Sequence, residues 1–249
     1  MKPCATLVHG FLGSPADWAD VMRLLAPNVA CDCVALHTLA CASIPSAAAA
    51  LAAHLADRPC ELLVGYSMGG RIALELAATR PDLVPRLLLL AANPGIDDAV
   101  DGVGSRARRA SEDDERSAQL LLDGLDAFTE HWYRLPLFAP FVRHPSFEAV
   151  RARRAQGDAS FWARCVSGCS PGRAASRWDA LPALAARTVL AAGSLDERYA
   201  AIAARAKRTA PALRVEIVAG AGHVLPLEAP DACARLIERT LDIPLKNEP

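Results

Sequence analysis

The stretch Val64-Gly65-Tyr66-Ser67-Met68-Gly69-Gly70 decides the fold that this sequence predicts. Apolar residues 60–64 before it predict a buried parallel strand, and residues 71–78 after it predict an amphipathic helix. Between them, Gly65-x-Ser67-x-Gly69 has the pattern of a nucleophile elbow, a sharp strand-to-helix turn with a serine at its tip. With a strand and a helix of these lengths beside it, the pattern favours a catalytic serine over a structural glycine-rich turn.

Strands and helices alternate on both sides of this turn. The further predicted strands are residues 5–8, 29–36, 86–92, 188–193 and 213–218, and the further predicted helices are residues 15–26, 46–56, 197–209 and 230–241. This rhythm predicts an α/β protein with a mostly parallel sheet that helices cover on both faces.

The rhythm stops between residues 96 and 184, which we call the cap segment. It holds twelve arginines and three of the four tryptophans, with helical periods and few strand signals. We therefore predict a helical cap at 96–184, inserted into a core made of residues 1–95 and 185–249. The tail, residues 246–249, is expected to fray.

Two more loops supply partners for the serine. Asp196 follows the predicted strand 188–193, and His223 follows the strand 213–218, so Ser67, Asp196 and His223 come in a catalytic order at the carboxyl ends of strands. Taken alone, Asp196 is equally consistent with a helix cap, and Asp32 or Asp97 could replace it as the acid. The histidines at 37, 54, 131 and 144 are expected to be surface or packing residues.

A loop after the first strand, His9-Gly10-Phe11-Leu12-Gly13-Ser14, is the candidate source of an oxyanion hole. One donor would be the backbone N–H of Phe11 and the other that of Met68, the residue after the serine. Without the elbow, an ordinary strand-loop-helix connection would explain this loop better.

The bulk properties exclude several classes of protein. The chain has 249 residues, 52% of them hydrophobic, and a net charge of -1, which argues against a nucleic-acid partner. No apolar run reaches the roughly 20 residues that a membrane span needs, and no signal-peptide pattern is present, so we expect no membrane partner and a cytoplasmic location. The eight cysteines lack zinc-site or disulfide spacing and are expected to be small buried hydrophobes.

Several strings resemble one branch of the α/β-hydrolase superfamily, the 2-succinyl-6-hydroxy-2,4-cyclohexadiene-1-carboxylate (SHCHC) synthases of menaquinone and phylloquinone biosynthesis. They are His9 to Ser14 with Trp18, Gly65 to Arg71, Asn93-Pro94-Gly95, Trp132-Tyr133-Arg134-Leu135-Pro136-Leu137-Phe138, Leu195 to Tyr199 and Gly222-His223. The string in the cap segment discriminates best, because general hydrolases share the others in looser form.

The resemblance implies the α/β-hydrolase fold and a lyase that eliminates pyruvate from a 5-enolpyruvyl precursor, with no metal or organic cofactor. Its substrate would be a small polycarboxylate, and guanidinium groups are suited to carboxylates. The residues that the resemblance implies for substrate binding are Arg108 or Arg109, Arg153 or Arg154, and, lining the pocket, Tyr66 and Trp132. Most cap arginines would instead be solvated groups paired with acidic neighbours.

Two other functions fit the same sequence. A serine esterase, thioesterase or carbon-carbon bond hydrolase would use the same triad, and a mainly apolar pocket would favour it. A non-catalytic binding protein on this scaffold would require Ser67 to lie far from His223. In each case we expect a monomer or a weak homo-oligomer.

Overall fold

The computed structural model describes residues 2–58 and 60–242. The tail predicted to fray lies outside these residues. The central sheet has six strands in the order β2-β1-β3-β4-β5-β6, and every neighbouring pair is parallel. The strands are β1 Cys4–Val8, β2 Ala30–Val34, β3 Leu62–Tyr66, β4 Leu87–Leu90, β5 Thr188–Gly193 and β6 Arg214–Val218. The predicted α/β class with a parallel sheet is confirmed.

Helices connect the strands throughout the described residues. They are α1 Ala19–Leu25, α2 Ile44–Ala56, α3 Met68–Thr79, α4 Asp98–Asp101, α5 Ser105–Trp132, α6 Ala139–Val142, α7 Phe147–Arg154, α8 Ala159–Gly168, α9 Leu181–Leu184, α10 Glu197–Thr209, α11 Leu225–Glu228 and α12 Pro230–Leu241. Short 3-10 helices are Pro15–Trp18, Leu36–Thr38, Pro81–Leu83, Pro136–Phe138 and Ala185–Arg187.

Three predicted helices differ at their starts, and the one predicted over 71–78 is α3, which begins at Met68 directly after Ser67. The helix predicted over 15–26 begins as a 3-10 turn, in which the Asp17 N–H donates to the Ser14 carbonyl at 2.9 Å, and becomes α-helical only at Ala19. The helix predicted from residue 46 begins at Ile44, because Ser43 and Ser46 form a reciprocal capping box. The predicted helices 197–209 and 230–241 coincide with α10 and α12.

The sheet has one hydrophobic cluster on each face, as strand alternation requires. On β3, Leu62 and Val64 point to the face covered by α1 and α12, whereas Leu63 points to the face covered by α2, α3 and α10. Burying both faces explains why the middle strands are continuously apolar. The carboxyl ends of β3, β4, β5 and β6 are therefore fixed along one edge of the sheet.

Between β4 and β5 the described residues form helices and connections but no strand. Helix α5 is the longest of them and is interrupted at Gly124, where φ is +74°. The proposed division into a core and a cap segment at residues 95/96 and 184/185 stays a prediction. Within residues 2–58 and 60–242, no helix combines the length and the apolar character that a bilayer span requires.

All eight cysteines have free thiols. Four are buried, namely Cys41, Cys165, Cys169 and Cys233, and the other four are partly buried. In the part of the chain that the structure describes, no group of three or more His, Cys, Asp or Glu side chains is placed to hold a metal ion.

Candidate active site

Ser67 lies at the tip of the turn between β3 and α3. Its backbone has φ 51° and ψ -112°, a conformation that is strained for any residue with a Cβ atom. The turn is this tight because strand and helix touch at a glycine: a Cβ atom on Gly65 would lie 2.5 Å from the Gly70 Cα. The serine side chain is consequently half-buried at the carboxyl edge of the sheet.

His223 joins the serine to Asp196. Its Nε2 lies 3.2 Å from the Ser67 Oγ, and its Nδ1 lies 2.7 Å from the Asp196 Oδ2. His223 and Asp196 are both 3% exposed, so water competes little for the hydrogen bond between them. A carboxylate on Nδ1 leaves Nε2 free to accept the serine proton, which is the arrangement of a catalytic triad.

Asp196 serves two partners at once. While Oδ2 faces His223, Oδ1 accepts the backbone N–H of Tyr199 at 3.1 Å and so caps α10. The two interpretations of this aspartate, helix cap and triad acid, are therefore compatible. The alternative acids lie elsewhere: Asp32 bonds to the Nε2 of His54 at 2.6 Å, and Asp97 caps α4.

Glu228 holds the histidine loop and was missed in the sequence. Its two carboxylate oxygens accept the backbone N–H groups of Gly222 and Val224, each at 2.7 Å, on either side of His223. The loop is thereby fixed before any substrate arrives. A carboxylate five residues after a candidate histidine was the signal available in the sequence.

The loop after β1 reaches the serine. A Cβ atom on Gly10 would lie 3.2 Å from the Ser67 Cβ, so Phe11 follows directly at the site. The Gly13 N–H closes a turn on the Gly10 carbonyl at 3.1 Å, with Leu12 at φ 60°. Met68 opens α3, so its N–H has no partner within the helix. Both candidate oxyanion donors thus belong to backbone that adjoins Ser67.

The buried His9 ring joins this loop to the segment after β2 by hydrogen bonds. It is 2% exposed, its Nε2 accepts the Leu36 N–H at 3.1 Å, and its Nδ1 therefore donates to the Gly10 carbonyl at 2.9 Å. Burial lowers the pKa of His9 to about 4, although the Gly10 carbonyl favours the charged form. The ring is consequently neutral at pH 7, with its proton on Nδ1.

This pKa predicts a pH-dependent stability. In the unfolded chain His9 titrates near pH 6.5, whereas in the folded chain it titrates near 4, so unfolding takes up a proton between these values. The free energy of unfolding should fall by about 2 kcal/mol from pH 7 to pH 5 on this account. Urea titrations of wild type and His9→Asn at both pH values measure the difference.

The exposed His131 provides the control for that experiment. His131→Asn should lose as much stability as the wild type on acidification, whereas His9→Asn should lose about 2 kcal/mol less. Equal losses in wild type and His9→Asn would contradict the assignment of His9 as the proton-binding group.

Aromatic rings cover the triad. The rings of Tyr199 and Tyr66 lie 4.6 Å and 5.7 Å from that of His223, and Phe138 lies at 5.9 Å. The Trp132 ring lies 5.3 Å from the ring of Phe11, in the loop that carries the candidate oxyanion donor. Of the aromatic side chains predicted to line the pocket, Tyr66 is thus beside the triad and Trp132 is one ring further out.

The four cap arginines that were predicted to bind substrate lie in two separate places. Arg153 and Arg154 both pair with the buried Asp17, and Arg154 also donates to the Tyr133 hydroxyl. The guanidinium of Arg154 still has one buried donor, Nε, without a partner among the described residues.

The other two arginines lie on α5. The Nε of Arg109 donates to Asp113 at 2.8 Å, and an Nη of Arg108 donates to the Ser105 hydroxyl at 2.9 Å. Among the described residues, no hydrogen bond or ion pair joins any of the four arginines to the triad. Their assignment to substrate binding therefore stays a prediction.

Arg71 lies one helical turn after the serine and was not among the predicted site residues. Its N–H donates to the Ser67 carbonyl at 3.1 Å, and its guanidinium donates to the Cys169 carbonyl. Burial lowers the pKa of this guanidinium, and no carboxylate lies within ion-pair distance of it in the described residues. The i, i+4 spacing from Ser67 was the signal in the sequence.

A serine, an imidazole and a carboxylate on three loops at the carboxyl edge of a parallel sheet define a protein of the α/β-hydrolase class. The model of the alpha/beta hydrolase family matches residues 7–236, and the chain belongs to this family.

Within that class the chain resembles SHCHC synthases. It is 31% identical over 181 residues to a Bacillus subtilis protein that has the provisional name of SHCHC synthase; the match covers 72% of this chain and 65%, slightly less than two thirds, of that protein. It is 27% identical over 259 residues to the SHCHC synthase of an Enterobacter species, covering 99% and 95% of the two chains. The solved structure of MenH from S. aureus has a TM-score of 0.87 at 23% identity, covering 96% and 93%, and this likeness shows the fold alone.

Proposed function

We propose that this protein is a carbon-oxygen lyase that eliminates pyruvate from a 5-enolpyruvyl cyclohexene carboxylate to give SHCHC, a step of menaquinone or phylloquinone biosynthesis. The observation on which the proposal depends is the hydrogen-bonded chain Ser67–His223–Asp196, with Arg71 one helical turn after the serine on α3. The names of the Bacillus and Enterobacter relatives support the choice of reaction.

In this mechanism the triad acts as a base. His223 takes the hydroxyl proton of Ser67 at Nε2, and the Ser67 oxygen removes a carbon-bound proton from the substrate. Asp196 stabilises the imidazolium that forms. The electron pair of the broken C–H bond moves onto a conjugated carbonyl oxygen, where the backbone N–H groups of Phe11 and Met68 stabilise the negative charge.

The second half of the reaction breaks the bond between the ring carbon and the enolpyruvyl oxygen. The electron pair returns to form a ring double bond, and the enolpyruvyl group leaves with the pair of the broken C–O bond. The proton on His223 goes to this leaving group, which is released as pyruvate, while Ser67 keeps the proton taken from carbon. The protein ends the cycle in its starting protonation state, so no cofactor is needed.

The carboxylates of the substrate need cations near the serine. Among the described residues, half-buried Arg71 has no carboxylate within ion-pair distance, and the buried Nε of Arg154 has no hydrogen-bond partner. Both are suited to charge-assisted hydrogen bonds, which are strongest where water is excluded. Arg153, Arg109 and Arg108 are proposed as more distant contributors to the same positive field.

Ester or thioester hydrolysis is the second candidate, and the aromatic cover favours it. Rings of Tyr66, Phe138 and Tyr199 surround His223, and Trp132 lies over Phe11, so much of the surface near the serine is apolar. Incubation with the enolpyruvyl precursor, followed by a lactate-dehydrogenase assay for pyruvate, tests the lyase directly. A nitrophenyl ester measured in parallel tests the hydrolase, and ester cleavage without pyruvate release would reject the lyase.

Arg71 distinguishes the two candidates further. Arg71→Gln should lower kcat/KM for the enolpyruvyl substrate about 100-fold, because a charge-assisted contact to carboxylate contributes about 1.5–3 kcal/mol. Cleavage of a neutral nitrophenyl ester should change less than about threefold, because that substrate has no carboxylate. Arg80→Gln, at the exposed end of the same helix, is the control and should leave both rates unchanged. Equal losses on both substrates would contradict the carboxylate-binding role.

We also propose that the protein acts in the cytoplasm on a small polycarboxylate, as a monomer or weak homo-oligomer, without nucleic-acid or membrane partners. The net charge of -1 supports the absence of a polyanionic partner. Size-exclusion chromatography with light scattering tests the oligomeric state, and a stable tetramer would contradict it.

A further inference from the structure

Helix α3 carries Ser67 at its N-cap, Arg71 one turn later and Glu75 one turn after that. Side chains four residues apart on a helix are neighbours, so Glu75 is placed to pair with Arg71. Both residues also line one narrow cavity of about 10 Å³, together with Arg177 from the cap segment. Even so, within residues 2–58 and 60–242 Glu75 forms no ion pair with Arg71.

Arg177 occupies both oxygens of the Glu75 carboxylate. Its Nε donates to Oε2 at 2.7 Å and its Nη2 donates to Oε1 at 2.6 Å, which is the bidentate geometry of a guanidinium on a carboxylate. Glu75 is 4% exposed, and its hydrogen bonds raise the pKa of Arg177. The carboxylate therefore has strong contacts at both oxygens without Arg71.

The backbone holds Arg177 in place independently of this ion pair. The Arg177 N–H donates to the Pro94 carbonyl at 2.7 Å, and the Trp178 Nε1 donates to the Gly95 carbonyl at 3.0 Å. Both acceptors belong to the segment after β4, the strand that pairs with β3. The guanidinium is thus presented to Glu75 from a fixed segment.

A second buried carboxylate that acts on Arg71 is engaged in the same way. Burial lowers the pKa of the Arg71 guanidinium, whereas the charge of Asp113 raises it. The two Asp113 oxygens accept the Arg109 Nε at 2.8 Å and an Nη of Arg116 at 2.6 Å. A partly buried cation without a counterion is costly, so Arg71 would attract a carboxylate that lost its own partner.

We propose that Arg177 is a positioning residue, which keeps Glu75 away from Arg71 so that the Arg71 guanidinium can contact an anionic group of a substrate at Ser67. Without Arg177, the Glu75 carboxylate would turn to Arg71 and neutralise it, and the site would lose its preference for anionic substrates. The inference rests on the carboxylate-binding role of Arg71 under the proposed function, but not on the lyase reaction.

Two nitrophenyl esters of equal chain length test the role of Arg177: mono-4-nitrophenyl adipate, which has a free carboxylate, and the neutral 4-nitrophenyl hexanoate. Arg177→Gln should lower kcat/KM for the adipate ester about tenfold, mainly through KM, because a charge-assisted contact is lost. Its kcat/KM for the hexanoate ester should stay within about twofold of the wild-type value. Arg173→Gln, which breaks an exposed pair with Asp114 in the same segment, should leave both values unchanged.

Variants of Glu75 separate this role from that of a merely structural ion pair. Glu75→Gln should keep the wild-type ratio of the two kcat/KM values, because a neutral amide cannot neutralise Arg71. The double variant of Arg177→Gln with Glu75→Gln should regain that ratio. A structural pair would instead make both single variants lose activity alike on both esters, and such a result would overturn the proposal.

A crystal structure of Arg177→Gln gives a readout that needs no activity. The Glu75 carboxylate should lie within about 4 Å of the Arg71 guanidinium, as in an ion pair, and a carboxylate that stays away from Arg71 would overturn the proposal. Circular dichroism at 25 °C should show a folded variant, because Glu75 gains a new partner. An unfolded Arg177→Gln beside a folded double variant would also overturn it.

Arg71→Gln distinguishes this inference from the proposed function. It should remove the preference for the adipate ester, and an unchanged preference would reject the carboxylate binding by Arg71 on which the inference rests. A preference that depends on Arg71 but survives Arg177→Gln would overturn only the role of Arg177. Because neither ester yields pyruvate, failure of the lyase proposal leaves this test intact.

Discussion

Ser67→Ala is expected to lower turnover by three orders of magnitude or more while the protein stays folded. The alanine variant has no hydroxyl for His223 to deprotonate, and removal of a triad member generally costs about 10³- to 10⁶-fold in kcat. The substitution removes one half-buried oxygen and leaves the Gly65 contact unchanged, so the melting temperature should move little. Stopped assays of pyruvate and of ester cleavage, with thermal melting, measure both quantities.

Asp196→Asn isolates the electrostatic role of the acid. Asparagine is also a good helix cap, so its side-chain oxygen can still accept the Tyr199 N–H and keep α10 in place. The substitution removes the negative charge of residue 196 and changes the tautomer of the His223 imidazole. We therefore expect a loss of about 10³- to 10⁴-fold in kcat.

Ser117→Ala, at a half-buried serine of α5, is the matched hydroxyl deletion and should have wild-type activity. A Ser67→Ala variant that keeps more than a tenth of wild-type turnover would rule out the serine as base or nucleophile. An Asp196→Asn variant that keeps full turnover would leave only the capping role for this residue.

Asp17→Ala is expected to give the largest loss of stability, about 3–5 kcal/mol in the free energy of unfolding. Asp17 is 2% exposed and receives hydrogen bonds from Arg153 and Arg154, the second at 2.6 Å. Burial by itself would raise the pKa of this carboxyl, but the two guanidinium groups lower it below its usual value. Its removal would leave the buried charge of Arg154 without a counterion.

Asp20→Ala is the control for Asp17→Ala, because it breaks an exposed pair three residues along the chain. Such pairs contribute at most about 1 kcal/mol. The double variant Asp17→Ala with Arg154→Met should be more stable than Asp17→Ala alone, since it removes the unpaired cation as well. A loss below about 1 kcal/mol for Asp17→Ala, measured by urea unfolding, would contradict a structural role for the pair.

The parts of this protein that the sequence predicts well are local. The elbow, the alternation of strands with helices and the ends of α10 and α12 follow from neighbouring residues, whose spacing and turn chemistry are visible in the chain. The positions of Ser67, Asp196 and His223 directly after strands predict that they share one edge of the sheet, because parallel strands bring their carboxyl ends to the same edge. These features place the three side chains without any knowledge of side-chain contacts.

The features that the sequence did not predict depend on contacts between distant segments. The pairing of Asp17 with Arg154 joins residues 137 positions apart, and no periodicity signals it. The resemblance pointed to the cap arginines as a group, but it could not show that their surroundings differ. Arg154 forms an ion pair with Asp17, whereas Arg108 lines a cavity near α10. Arg71 was visible as part of a motif, but only the three-dimensional structure shows that no carboxylate of residues 2–58 and 60–242 pairs with it.

In the part of the chain that the structure describes, the hydrogen bonds that fix the candidate triad connect residues outside the cap segment. Asp196 bonds to Tyr199, Glu228 bonds to the two amides beside His223, and Ser67 takes its backbone position from β3 and β4. The candidate triad and the predicted cap segment can therefore diverge independently during evolution. A chimera with the helical insert of an esterase grafted between β4 and β5 should cleave simple esters and take its preference for acyl groups from the donor.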